Sequence, residues 1–293
     1  MDDVAVPRDR MLQVGDLHFW EVVTNPLKLL NKRFLGNLNV ILRRGREFAM
    51  ERAEPSITAL AECDVDHVLF TGDFTSTSTE EEFARARAFV DAVRARGMET
   101  WVLPGNHDVY TFESARAKRF EKHFRGLTPP SGYPALMSLP GGTPVILAPT
   151  VRPNVLASSG CITPEQTEAV AALLKQVTGP VLVAAHYPLL NQTDGYRLTR
   201  SRRLAGAEEL RKTLAASGKQ VLHVAGHTHR FSWTRDPEHS NVMHLTTGAF
   251  FRKDHRTGLQ GEFSEIHVYE DGFRVMRHVC AAQWRTIEVQ PTA

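Results

Sequence analysis

The chain has 293 residues, 42% apolar and 23% charged, the balance of an ordinary globular protein long enough to bury one large core or two smaller ones. A formal net charge of +2 excludes a chain built as a whole to hold a polyanion. The three cysteines, Cys63, Cys161 and Cys280, are scattered and form no C-x-x-C pair, which argues against a disulfide framework or zinc knuckle and for a reducing compartment.

In chain order, the opening residues MDDVAVPRDRML lack the basic start and apolar core of a secretion signal. No apolar run approaches the ~20 residues of a membrane span, so the sequon at Asn191-Gln192-Thr193 reads as incidental and the expected compartment is the cytoplasm. Residues 11–14 read as a first strand, ending in Gly15-Asp16-Leu17-His18. An insert at about 19–60 follows, both apolar and basic across residues 26–46, where it closes on Val40-Ile41-Leu42-Arg43-Arg44-Gly45-Arg46. A second strand at 66–70 ends in Thr71-Gly72-Asp73. Thr79 and Glu82 then form a capping box for a helix carried by Phe83, Ala86, Val90 and Val93 and stopped at Gly97. A third strand at 99–103 ends in Pro104-Gly105-Asn106-His107-Asp108.

Strands at 144–148, 180–185 and 220–225 follow, the last two running into His186-Tyr187-Pro188 and Gly226-His227-Thr228-His229. Between them come a helix capped by Thr163 with Pro164 and Gln166 behind it, and another over about 205–216 before Gly218. Near-continuous apolar runs of this kind suit strands covered on both faces. The last stretch changes character: 242–247, 263–270 and 273–279 are strand-like, with a hairpin turn at Glu270-Asp271-Gly272. The expectation is one layered α/β domain over 1–293 with an antiparallel C-terminal portion.

Five strand ends thus carry Asp, Asn or His, and in open α/β sheets ligands gather outside the carboxyl ends of strands. Carboxylate and amide oxygens mixed with imidazoles suit manganese, iron or zinc better than a soft, thiolate-preferring metal. The donors are too many for one tetrahedral ion and enough for two sharing a carboxylate, the usual clamp for phosphoryl hydrolysis.

In these five ordered blocks, Asp16-Leu17-His18, Gly72-Asp73, Gly105-Asn106-His107-Asp108, His186 and Gly226-His227-Thr228-His229, the chain resembles the calcineurin-like metallophosphoesterases. Over about residues 10–230 the resemblance implies a layered α/β/β/α sandwich of mixed sheets, with the trailing strands fitting the family's second sheet. It implies a binuclear centre of two divalent ions: Asp16, His18 and His229 around the first, Asn106, His186 and His227 around the second, Asp73 bridging both with a water or hydroxide. His107 would be a general acid beside the substrate rather than a ligand, and Asp108 would orient it.

The layout is similar to bacterial phosphodiesterases of the cyclic-nucleotide type, so the expected substrate is a small phosphodiester. The insert keeps two readings open: a lid packed on the domain with its Lys and Arg in water, which is preferred, or a surface that lies on the inner membrane and serves a lipid-linked phosphoesterase or pyrophosphatase. A metal-bound scaffold or protein-binding module is the alternative from another class, and the complete set of blocks argues against it. No extended basic and aromatic strip points to nucleic acid. His67 and His223 read as structural, and His123, His239, His267 and His278 as surface or sheet positions. His244 and His255 lie in the C-terminal part, where the family's rim loops can touch substrate, but read first as away from it; Arg252 and Lys253 could bind a phosphate, with solvated charges the preferred reading.

Overall fold

The computed structural model describes residues 6–24, 33–154, 157–196 and 202–292; the insert's residues 25–32 lie outside them. The strands are β1 (Asp9–Val14), β2 (His67–Phe70), β3 (Glu99–Val102), β4 (Ala135–Ser138), β5 (Pro144–Leu147), β6 (Gly160–Cys161), β7 (Val181–Ala184), β8 (Leu204–Ala205), β9 (Val221–Ala225), β10 (Ser232–Arg235), β11 (Val242–Thr246), β12 (Glu262–Tyr269), β13 (Gly272–Cys280) and β14 (Trp284–Val289). They build two six-stranded sheets, ordered β14-β13-β12-β1-β2-β3 and β10-β11-β9-β7-β5-β4, and a small pair, β6-β8.

Side chains alternate across each strand, and the two sheets use that alternation to share a core. Met11, Leu69, Leu147, Leu182, Leu222 and Val224 meet between the sheets. Leu12, Val68 and Phe70 face outward onto Phe83, Val90 and Val93 of the helix Glu80–Arg94. Ile146, Val183 and Val221 face the opposite way, onto Val170 of Pro164–Leu174 and Leu210 of Ala207–Ala216. The layers are therefore helix, sheet, sheet, helix, as the resemblance implied. Both foreseen capping boxes form: Thr79 Oγ1 accepts from the Glu82 N–H at 3.2 Å, and Thr163 Oγ1 from that of Gln166 at 3.2 Å.

Within the first sheet β1 runs parallel to β2 but antiparallel to β12, and β13 is antiparallel to both β12 and β14. The hairpin turns on two residues, since Tyr269 pairs with Gly272. The segment expected at 242–247 is β11 in the other sheet, antiparallel to β10 on one side and parallel to β9 on the other, because the excursion through β10 returns the chain to the same end. The helix expected from 205 begins at Ala207, Leu204 and Ala205 being given to β8.

The insert folds into helical turns: Arg33–Asn39, a π turn at Val40–Arg44, then Gly45–Glu47, and later Ala53–Ala61. Its first helix is docked by polar groups. Arg33 is buried and donates to the carbonyls of Thr77 (3.0 Å) and Ser78 (3.2 Å), while Asn37 exchanges two bonds with the backbone of Val23. The apolar side chains Phe34, Leu35, Leu38, Ile41 and Leu42 face outward, 45–62% exposed.

Candidate metal centre

The strand ends of both sheets meet at one rim. Asp16 and His18 follow β1, Asp73 follows β2, Asn106 follows β3, His186 follows β7, and His227 and His229 follow β9. Asp16, His18, Asp73, His227 and His229 all have positive φ, between 49° and 71°, so five of the seven expected donors sit in the left-handed region that L-residues avoid. Each such residue costs about 1 kcal/mol or more, and the rigid strands behind them hold the conformation. Two glycines make room. A Cβ on Gly105 would lie 2.1 Å from the Asp73 nitrogen, and one on Gly226 2.7 Å from Asp16 Oδ2.

The donor atoms fall into two groups that share Asp73: Asp16, His18, Asp73 and His229 in one, Asp73, His186 and His227 in the other. His18 Nε2 and His229 Nε2 are 2.8 Å apart. Asp73 Oδ2 is 3.5 Å from His18 Nε2, and its Oδ1 is 3.5 Å from His186 Nε2. Asn106 Oδ1 joins the second group at 2.9 Å from His227 Nδ1 and 3.2 Å from His186 Nε2. Donors each ~2.1 Å from one ion stand roughly 3 Å from one another, so the residues fit two ions with a shared carboxylate.

Backbone carbonyls select which ring nitrogen faces inward. Thr71 O takes the Nδ1–H of His186 at 2.8 Å and Thr75 O that of His18 at 3.2 Å, leaving Nε2 of each to the centre. His227 is reversed: its Nε2–H goes to Arg202 O at 3.1 Å, and Nδ1 faces Asn106. Burial lowers the pKa values of His18, His227 and His229, so these imidazoles are neutral and ready to ligate. Burial also opposes charge on His186, but the Asp73 and Asp16 carboxylates outweigh it and push His186 up to about 9. Asp73 would be raised by burial, yet His186 and His107 hold it well below the usual carboxylate range.

His107 stands beside both donor groups and belongs to neither. Its backbone N–H donates to Asp73 Oδ1 at 2.8 Å, its Nδ1–H to Ser76 O at 2.7 Å, and its ring stacks on Tyr110. Asp108 is fully buried and spends its carboxylate on the loop: it accepts from the N–H groups of Gly105, Thr75 and Phe74 and from Thr75 Oγ1. Thr75 Oγ1 also reaches His107 O at 3.0 Å. Asp108 thus positions His107 through backbone and Thr75.

Arg44 was not foreseen as a site residue. The π turn carries its guanidinium over the centre, where Nη2 donates to His107 Nε2 at 2.8 Å and Nη1 lies 3.2 Å from His18 Nδ1. The signal was the basic tract after Ile41, but no spacing rule links an insert of this length to a strand-end site. Arg252, read as a solvated charge, also reaches the rim: it is only 18% exposed and pairs with Glu47 of the insert at 3.6 Å. The other histidines fall where they were read. His67 and His223 are buried in β2 and β9, and His244 is buried in β11 against Asp236.

A sequence model described as calcineurin-like phosphoesterase matches residues 10–231, a span that holds every donor named above. The chain belongs to the calcineurin-like phosphoesterase family. None of the curated proteins matches it by sequence. Among solved structures, a dimetal phosphatase from Danio rerio is similar over 97% of this chain and 100% of its own, with TM-score 0.62 and 15% identity. A purple acid phosphatase from yellow lupin seeds is similar over 96% of this chain and 53% of its own, with TM-score 0.57 and 14% identity; this calcineurin-like phosphoesterase spans about half the lupin chain. At such identities the likeness is one of fold. Among the described residues, no helix is long and apolar enough to cross a membrane.

Proposed function

We propose that the protein hydrolyses a phosphodiester at a two-ion centre. The observation that carries the reading is the pair of donor groups sharing Asp73, with His107 beside them and outside both. Two divalent ions held there, manganese, iron or zinc by the donor chemistry, would supply Lewis-acid charge and a nucleophilic water at neutral pH. The chain's own residues do the rest. Ser76 O keeps the Nδ1 proton of His107 in place, so proton exchange falls to Nε2. Arg44 covers that nitrogen; an incoming phosphoryl oxygen draws the guanidinium to itself and releases Nε2. Once free, Nε2 takes up a proton from solvent; the water oxygen forms a P–O bond and gives up a proton to solvent, the bond to the leaving oxygen breaks, and that oxygen keeps the electron pair and takes the Nε2 proton of His107. Phe48, whose ring centroid is 4.8 Å from that of His18, walls the centre on the insert side.

Hydrolysis of bis-p-nitrophenyl phosphate by metal-free protein reloaded in turn with manganese, iron, zinc and nickel tests this. Turnover with at least one ion is expected. No turnover with any would overturn the enzyme reading and leave a metal-bound scaffold.

The outward row Phe34, Leu35, Leu38, Ile41 and Leu42 favours a second reading, in which the same chemistry serves a lipid-linked phosphoester at an anionic membrane surface. Arg43 and Arg46, both exposed, follow that row in the chain and would meet lipid phosphates. In sedimentation with phosphatidylglycerol–phosphatidylcholine vesicles the wild type should pellet and the double variant Leu38→Glu, Ile41→Glu should not. Equal partitioning of the two would remove the membrane reading and leave the insert as a lid.

A further inference from the structure

Two cavities meet over this centre. One, of about 210 Å³, opens on His227 and His229 and is walled by Arg43, Arg44, Arg202, Arg230 and Arg252. The other, of about 370 Å³, begins at the same His229, Arg230 and Arg252 and runs outward past Asp254 and Leu259. Arg230 and Arg252 are thus the gateposts between a small space over the donors and a larger one of the size that takes an organic ligand.

Among the described residues, arginines outnumber carboxylates on the wall of the smaller cavity. Five guanidinium groups line the smaller cavity with one carboxylate, Glu47, which Arg43 already holds at 2.7 Å. Arg230 reaches one further acid, the exposed Asp194, at 3.1 Å. Arg252 Nε is buried and makes no hydrogen bond among the described residues, its ion pair to Glu47 being 3.6 Å long. Arg44 Nη1 lies 3.2 Å from His18 Nδ1 and 3.3 Å from His107 Nδ1, so this guanidinium stands at the inner end of the smaller cavity. Guanidinium forks of this kind recognise phosphoryl oxygens.

We propose that the cleft is a second phosphoryl site: Arg230 and Arg252 hold a phosphoryl group adjoining the one that Arg44 meets over the donors, and the organic end of the substrate lies in the outer cavity. The substrate class is then an ester of diphosphate, with two adjacent phosphoryl groups, rather than an isolated diester. This deepens the phosphoesterase reading and rests on it. Charge decides between one group and two. A diester brings a single negative charge to five arginines and two ions, whereas a disubstituted diphosphate brings two and places the second between Arg230 and Arg252.

Calorimetry on the metal-free protein tests the cleft without reference to turnover. Inorganic pyrophosphate should bind once per chain and about tenfold more tightly than inorganic phosphate. Arg252→Gln and Arg230→Ala should each weaken it about fivefold; Arg230 is partly exposed, so its replacement does not threaten the fold. With manganese-loaded protein, the ratio of kcat/KM for UDP-glucose to that for bis-p-nitrophenyl phosphate should fall about tenfold in each variant. Pyrophosphate binding no better than phosphate, or left unchanged by both substitutions, overturns the second site, as does an unchanged kcat/KM ratio. If the wild type hydrolyses neither ester, the phosphoesterase reading fails while calorimetry still decides the cleft.

Discussion

At the scale of single residues, Arg44 is where structure adds most to sequence. Its guanidinium touches His107 Nε2, the atom that in the proposed mechanism passes a proton to the leaving group. Arg44→Ala should lower kcat on bis-p-nitrophenyl phosphate by about 10²–10³, the usual effect of deleting one charge-stabilising donor, with partial rescue by Arg44→Lys and no loss of bound metal. Wild-type kcat in Arg44→Ala would show the contact to be incidental. The seven donors were legible because each closes a strand with a short motif. Arg44 was not, because its approach depends on a π turn and on the docking of Arg33 and Asn37 far from the motifs. Gly226, part of a legible motif, makes room for the Asp16 carboxylate.

At the scale of elements, near-continuous apolar runs made β1, β2, β5, β7 and β9 readable, since both faces of each strand are covered. Short or edge strands such as β4, β6, β8 and β14 carry no such pattern. The insert helix was readable as apolar and basic but not as inverted, because polar docking onto backbone carbonyls leaves no periodic trace. The end of β10 is tied to Ala207–Ala216 by a buried fork: Arg211 Nε and Nη2 donate to the two oxygens of Asp236 at 2.6 and 2.8 Å, and His244 Nε2 adds a bond at 2.9 Å. Burial would raise Asp236, but Arg211 and His244 hold it far below the usual carboxylate range. A carboxylate depressed in the folded state contributes stability above its unfolded pKa of ~3.9, and that contribution is lost as pH falls toward the folded value. Asp236→Asn should therefore cost roughly 3 kcal/mol near neutrality, the low end for breaking a buried pair. Its deficit should shrink in urea titrations at about pH 3. A deficit that stays constant across both pH values would contradict the assignment.

At the scale of the molecule, two sheets packed through Met11, Leu69, Leu182 and Leu222 bring the ends of β1, β2, β3, β7 and β9 to one rim. The centre therefore exists only when both sheets are assembled, and its strained left-handed residues draw on the stability of the whole core. The layering was readable from the alternation of strands and helices together with the family's motifs. The parallel placement of β11 was not, because its direction is set by which end of the sheet the preceding loop leaves. Metal content by plasma emission spectrometry after reloading with manganese tests the central claim most directly. The account predicts two ions per chain in the wild type and in His107→Ala, and a loss of bound metal in Asp73→Asn, which removes the carboxylate common to both donor groups. A wild type that holds a single ion, a His107→Ala chain emptied of metal, or an Asp73→Asn chain that keeps both ions would contradict it.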